Sequence, residues 1–180
     1  MSNTTATGGY LGVTSTPINI HHLIHDQICG ILGMGNTYVR PKNQPNPPPP
    51  PPFGTDWVAF GTSQVKAQGF AHIDENAVSR QENFIVTASI YGDSAESNAR
   101  NLRDGLEIKQ NWEQMQGFSF GGSMSFIRVP ELHNGRWLQR YDLTYAISQN
   151  SSSAYNILTV ERLSDVIARL SDVSIDSQTN

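Results

Sequence analysis

The sequence predicts an α+β fold, a sheet covered by amphipathic helices, and three observations predict it. First, Phe84, Val86, Ala88 and Ile90 share one parity between Phe84 and Tyr91, the period of a strand with one buried face. Second, Gly92 ends that strand, and Ala95, Ala99, Leu102, Leu106 and Ile108 then recur at helical spacing, so a helix folds back onto the sheet it has just left. Third, Trp137, Gln139, Tyr141, Leu143, Tyr145 and Ile147 alternate along 136–148 and predict the longest strand, with an aromatic inner face. Trp57, Phe84, Val86, Leu102, Leu106, Trp137, Tyr141 and Leu143 are the predicted core.

The chain has 180 residues, 37% of them hydrophobic, enough for one domain with a sizeable core. That domain is placed at 17–171, with a flexible arm at 1–16, a proline-rich loop at 41–53 and a polar tail at 172–180. Sixteen acidic residues against twelve basic ones give a net charge of −4, which argues against a broad basic face for duplex nucleic acid. Cys29 is the single cysteine, so no internal disulfide and no multi-cysteine zinc site forms, and its apolar helical setting points to a buried thiol. No apolar run reaches the length of a membrane span, and the first residues lack the pattern of a signal peptide, so the expected setting is cytoplasmic.

In order, 1–16 is rich in Thr, Ser and Gly and is expected to be mobile. Ile20, Leu23, Ile24, Ile28, Ile31 and Leu32 predict a helix over 17–32, stopped by Gly33 and Gly35. Its polar side carries His21, His22 and His25; the His21 to His25 spacing suits a metal, but no further ligand stands nearby, and a solvated histidine face is expected. Residues 37–40 make a short strand, and the prolines of 41–53, lacking amide donors, run as polyproline II. Residues 56–65 form a strand with Trp57 and Ala59 on one side and Val58 and Phe60 on the other, and Gly61 suggests a bulge or close approach. The polar stretch 67–80 reads as a long connection into the strand at Gln81. Asp93 and Glu96 have capping-box spacing and start the central helix at Asp93 or Ser94. Trp112 and Met115 continue the apolar spacing, 118–130 is a strand interrupted at Gly121 and Gly122 and closed by Pro130, and 131–135 is a turn. Residues 150–153 read as a loop, 155–158 as a short strand, and Val160, Leu163, Val166, Ile167 and Leu170 as a last helix.

No pattern for chemistry emerges. The glycines at 30, 33 and 35 follow a helix instead of joining a strand to one, and no lysine completes a phosphate loop. Asp74 with Glu75 and Asp104 with Glu107 are carboxylates of the kind that any solvated face carries, and His72 and His133 add no base geometry. No catalytic residue, cofactor or metal is assigned.

The chain does resemble the neck or tail terminator proteins of tailed bacteriophages. The resemblance rests on a proline-rich loop followed by Asp56-Trp57-Val58-Ala59-Phe60-Gly61, and on Tyr91-Gly92 opening a helix that ends Leu102-Arg103-Asp104-Gly105-Leu106 before Gln110-Asn111. It continues with Pro130-Glu131-Leu132 and Asn134, then Trp137 and Arg140-Tyr141-Asp142-Leu143, so that it spans 39–147. The proline run 47–52, the long N-terminal arm and the helical extension at the C-terminus depart from the family pattern. The resemblance implies a protomer with a mixed or mainly antiparallel sheet, repeated as a hexameric ring that caps the tail tube. It implies contacts with the tail tube protein and the head–tail connector or other neck proteins, DNA passing through the lumen unbound, and a place in the virion neck after assembly in the host cytoplasm. Arg40, Pro47, Pro50, Phe53, Arg103, Asp104, Asn111, Arg140 and Asp142 are the candidate subunit or partner contacts. The alternatives are a protein-binding module that uses the proline-rich loop, and a small hydrolase whose motif is not recognised.

Overall fold

A computed structural model describes residues 19–74, 77–115, 117–133 and 135–155. They fall into two compact units, one of residues 19–69 with 80–151 and a smaller one of residues 70–74 and 77–79 with 152–155.

Helix α1 spans Ile20–Leu32, its first turn capped by the Asn19 side chain, whose oxygen accepts from the His22 amide at 3.3 Å, and Gly33 terminates it. A single 3-10 turn, Asn36–Tyr38, leads into β1, Val39–Pro41, slightly later than the sequence suggests. The remaining strands are β2 (Trp57–Asp74), β3 (Ala77–Tyr91), β4 (Phe118–Arg128), β5 (Glu131–His133), β6 (Arg136–Leu138) and β7 (Arg140–Ala154), and helix α2 spans Ala95–Glu107. Five strands form one mixed, mostly antiparallel sheet in the order β1-β2-β3-β7-β4, with β1 parallel to β2 and β4 antiparallel to β7. Strands β5 and β6 make a separate two-stranded ribbon. This is the predicted α+β class.

The core lies where the helices meet one face of the sheet. Ile24 and Ile28 of α1 and Ala95, Ala99, Leu102 and Leu106 of α2 are fully buried against Val58, Phe60, Val86, Ala88, Ile90, Leu143, Tyr145 and Ile147. Period two and period 3.6 supply these positions directly from the sequence. The two helices touch where Gly105 faces Ile31, since a Cβ on Gly105 would overlap the Ile31 Cγ2 methyl.

Several expectations change. Trp57 is half-buried on the sheet face away from the helices, and Phe84 packs only at the margin of the core. Trp137 is not in the core: it lies on β6 and is 69% exposed, because the chain leaves the ribbon at Gln139 before β7 begins. Residues 131–135 are therefore not a simple turn, since β5 pairs with β6 from Glu131 onward. Ile108 has extended backbone beyond the helix and is exposed. The stretch 67–80 belongs largely to β2 and β3, and 150–153 to β7, since main-chain pairing needs no run of large apolar residues. Gly61 makes only ordinary contact, its Cβ position being 3.5 Å from the Lys42 side chain. Tyr155 has no regular structure; the arm 1–16, the expected strand beyond Tyr155, the last helix and the tail lie outside the described residues.

The cap of α2 also differs. Its first free amide, Ser94 N, donates at 2.9 Å to Oδ1 of Asp56, 38 residues upstream, while Glu96 accepts from Arg100 and from the Tyr141 hydroxyl. Asp56 comes that close because Gly92 has φ 116°, and any side chain there would overlap Asp56.

Candidate interface site

Four of the stretches that carry the resemblance converge on Arg140, the first residue of β7. Residues two apart on a strand share a face, so Arg140 and Asp142 lie side by side. Their groups meet in a two-pronged pair, Nε to Oδ1 and Nη2 to Oδ2, both 2.8 Å. Arg140 Nη1 also donates at 3.1 Å to Oε2 of Glu131 on β5, tying the ribbon to the sheet. The guanidinium stands 5.5 Å from the centre of the Tyr91 ring, which is itself stacked on Trp57 at 4.3 Å and 7°. One cation thus joins the start of β2, the end of β3, the ribbon and β7.

Charge and burial are balanced at this point. Burial alone would raise the Asp142 carboxyl, but the bonds to Arg140 and the positive charge of Lys42 hold it below the ordinary carboxylate value. Hydrogen bonding to Asp142 outweighs burial at Arg140 and keeps that guanidinium charged. Burial pushes the Tyr91 hydroxyl up, so the ring stays neutral under the cation.

Beside this cluster runs a groove of about 590 Å³, bounded by Pro50–Phe53, by Trp57 and Tyr91, and by Glu131, His133, Arg136 and Leu138 of the ribbon. Arg136 lies over the Phe53 ring at 5.6 Å. The proline loop is anchored from below by Arg40, whose Nε donates to Thr37 O at 2.7 Å and whose Nη1 donates to Pro49 O at 2.8 Å. Pro47, Pro50 and Phe53 are exposed on it.

The other candidate contacts lie elsewhere. Arg103 pairs with Asp104 at 2.8 Å on the outer side of α2 and covers the Phe126 ring at 5.6 Å. Asn111 closes the end of α2, its Nδ2 donating to Gly105 O at 2.7 Å while its own carbonyl accepts from Gln27 Nε2 at 3.4 Å. Of the candidates, Pro50 and Phe53 line the groove, Arg140 touches its lining residues Tyr91 and Glu131 and holds Asp142, and Arg103, Asp104 and Asn111 lie apart from it. Sequence reasoning missed the roles of Asp56, Tyr91, Gly92 and Glu131 in building that place. Their signal was a polar or glycine residue at the boundary of an apolar strand, which has no partner within a local window.

Histidine and thiol chemistry is weakly set up here. His22 and His25 each stand 2.9 Å from the Asp26 carboxylate, and His21 Nε2 lies 3.2 Å from Thr62 Oγ1. Among the described residues no group of three His, Cys, Asp or Glu side chains is gathered for a metal. Burial, and then the Asp26 carboxylate, push the half-buried Cys29 thiol up and keep it protonated. The arrangement holds loops and presents surfaces.

No curated protein matches the chain. A family model for the phage neck terminator protein matches residues 19–177, a span that includes both helices and all seven strands of the described residues and the Arg140 cluster. The chain belongs to the phage neck terminator protein family and is a structural component of the phage particle that associates with other tail and head proteins.

Proposed function

We propose that this protein works as a closed hexameric ring at the head-proximal end of the tail, capping the tail tube and joining it to the head connector. The observation that carries this is the family match over 19–177. Copies assemble in the host cytoplasm, and DNA passes through the lumen without being held, as suits a chain with net charge −4. No catalytic step is assigned to it. Arg40, Asn111, Arg140 and Asp142 fix the loops at the rim, while Arg103, Asp104, Pro47, Pro50 and Phe53 meet a neighbouring subunit or a neck partner. A polyproline segment loses little freedom on docking, which suits it to reach across an interface.

Negative-stain imaging of the protein alone and with tail tubes tests the ring; single particles that never close and never decorate tube ends would overturn it. Deletion of residues 47–52 should leave the melting temperature of the protomer nearly unchanged while heads and tails fail to join. Normal joining would make the loop a passive spacer, and an unfolded protomer would make it internal structure.

A further inference from the structure

We propose that the groove between the proline loop and the β5–β6 ribbon takes an extended acidic segment of another neck or tail protein, with an apolar side chain on the Trp57–Tyr91 stack and a carboxylate on Arg136. The choice of a partner protein rests on the reading above that Pro50 and Phe53 face one; the chemistry of the segment rests on the groove itself.

Cross-strand pairing sets which ribbon side chains enter the groove. Glu131 is paired with Leu138 and His133 with Arg136, so these four share one face of the ribbon, and all four line the groove. Leu132 and Trp137 pair on the other face and take no part in the lining.

The charge on that inner face is not balanced. Glu131 is already bonded to Arg140 at 3.1 Å. Arg136 sits over the Phe53 ring at 5.6 Å, and among the described residues no carboxylate pairs with it. An aromatic ring positions a guanidinium without neutralising it, and His133 stands directly across the strands. The groove therefore offers one placed positive charge that lacks an anion. A single arginine over an aromatic floor, in a chain of net charge −4, is not the row of cations that a phosphate backbone needs.

The opposite wall calls for an extended backbone. Pro50, Pro51 and Pro52 have no amide hydrogen, and the Pro52 carbonyl is taken by the Thr55 amide at 3.1 Å, whereas the carbonyls of Pro50 and Pro51 accept from no described residue. Acceptors without donors match a segment whose own amide hydrogens are unpaired, as those of an extended chain are; a helix has used most of its own. The floor is a flat aromatic surface, Trp57 stacked on Tyr91 at 4.3 Å and 7°. Both walls are fixed in advance, since Arg40 holds the loop at Pro49 and Arg140 holds the ribbon at Glu131, so docking costs little ordering.

The probe is a labelled eight-residue peptide of alternating glutamate and leucine, titrated into the full chain beside a lysine–leucine peptide and a DNA duplex. The glutamate peptide alone should bind. Arg136→Glu should weaken it by about tenfold or more, and Trp137→Ala, on the outer ribbon face, should leave it unchanged, with unaltered urea unfolding curves for both. Equal binding of the lysine peptide, displacement by the duplex, no binding at millimolar peptide, or an Arg136→Glu protein that binds like its parent overturns the proposal. In particles carrying Arg136→Glu, heads and tails should fail to join, and compensating changes should turn an Asp or Glu of another neck or tail protein into Lys or Arg. Normal joining, or compensating changes confined to this chain, overturns the partner as occupant. Negative-stain images separate this from the ring itself. Closed Arg136→Glu rings that do not join support the groove, whereas a parent protein that binds the peptide but never closes keeps the groove and sinks the ring.

Discussion

Replacing Gly105 with alanine should destabilise the protein, although alanine is the better helix former. Gly105 lies in the last turns of α2 against Ile31 of α1, and a Cβ there overlaps the Ile31 Cγ2 methyl and comes within 3.5 Å of its Cβ and Cγ1. Isoleucine is branched at Cβ and holds essentially one rotamer in a helix, so the methyl cannot swing aside. The helices cannot part either, because Ile24 and Ile28 pin one to the sheet and Leu102 and Leu106 pin the other. Overpacking of this kind costs about 1–3 kcal/mol, and a rigid neighbour places it at the upper end. Helix propensity returns about 1 kcal/mol, which leaves a net loss of about 2 kcal/mol. In an Ile31→Ala background the overlap is gone, and the same Gly105→Ala change should gain about 1 kcal/mol. Urea unfolding of the four proteins of this cycle gives both numbers from midpoints and slopes. The reasoning fails if Gly105→Ala stabilises the native background, or if its cost is the same with and without the Ile31 side chain.

Leu102→Ala removes a fully buried side chain and should cost about 2–5 kcal/mol in urea unfolding; a loss below about half a kcal/mol would place the α2 stripe on the wrong side. Tyr145 is fully buried and its hydroxyl has no partner among the described residues, so Tyr145→Phe should raise stability by about 1–3 kcal/mol, and a lower melting temperature would contradict that. Asp142 has its carboxyl held below the ordinary value in the folded state, so it contributes stability above the unfolded-state value of about 3.9 that is lost as pH falls through the folded one. Urea midpoints measured from neutral pH down to about pH 3 should therefore fall less steeply in Asp142→Asn than in the parent, from a lower starting point, and parallel profiles would remove Asp142 from the acid response.

What was legible in the sequence was whatever repeats within a few residues. Ala95, Ala99, Leu102 and Leu106 are all buried, as a 3.6-residue period requires, and Tyr141, Leu143, Tyr145 and Ile147 are all buried on one strand face. The same alternation misplaced Trp137, because parity carries straight across the break at Gln139, where the chain passes from ribbon to sheet. The end of β2 was hidden because its alternation of Val65, Ala67, Ala71 and Ile73 is built on small residues and crosses Gly69, and the start of β3 because 79–83 is a run of polar residues. The cap of α2 was assigned to Asp93 and Glu96 because they are local, whereas Asp56 performs it from a distant stretch. At the candidate site the residue types were visible from the family resemblance, but the convergence of Trp57 and Tyr91 on Arg140 depends on the β2–β3 and β3–β7 pairings, which no local window contains.

The two outermost strands of the main sheet bear on how such a subunit survives before it assembles. An open edge with a regular row of donors and acceptors invites any other extended chain to add itself, and growth of that kind has no natural end. Strand β1 is three residues long and ends in Pro41, followed by a run that supplies few amides. Strand β4 shifts register twice, between Phe120 and Gly122 and between Ser123 and Ser125, and Gly122, at φ 108°, permits the first irregularity. Both margins are thus poor templates for cross-β growth. A stock of free chains is kept from sticking through its backbones, and recognition of partners is left to side chains, which can discriminate one neighbour from another.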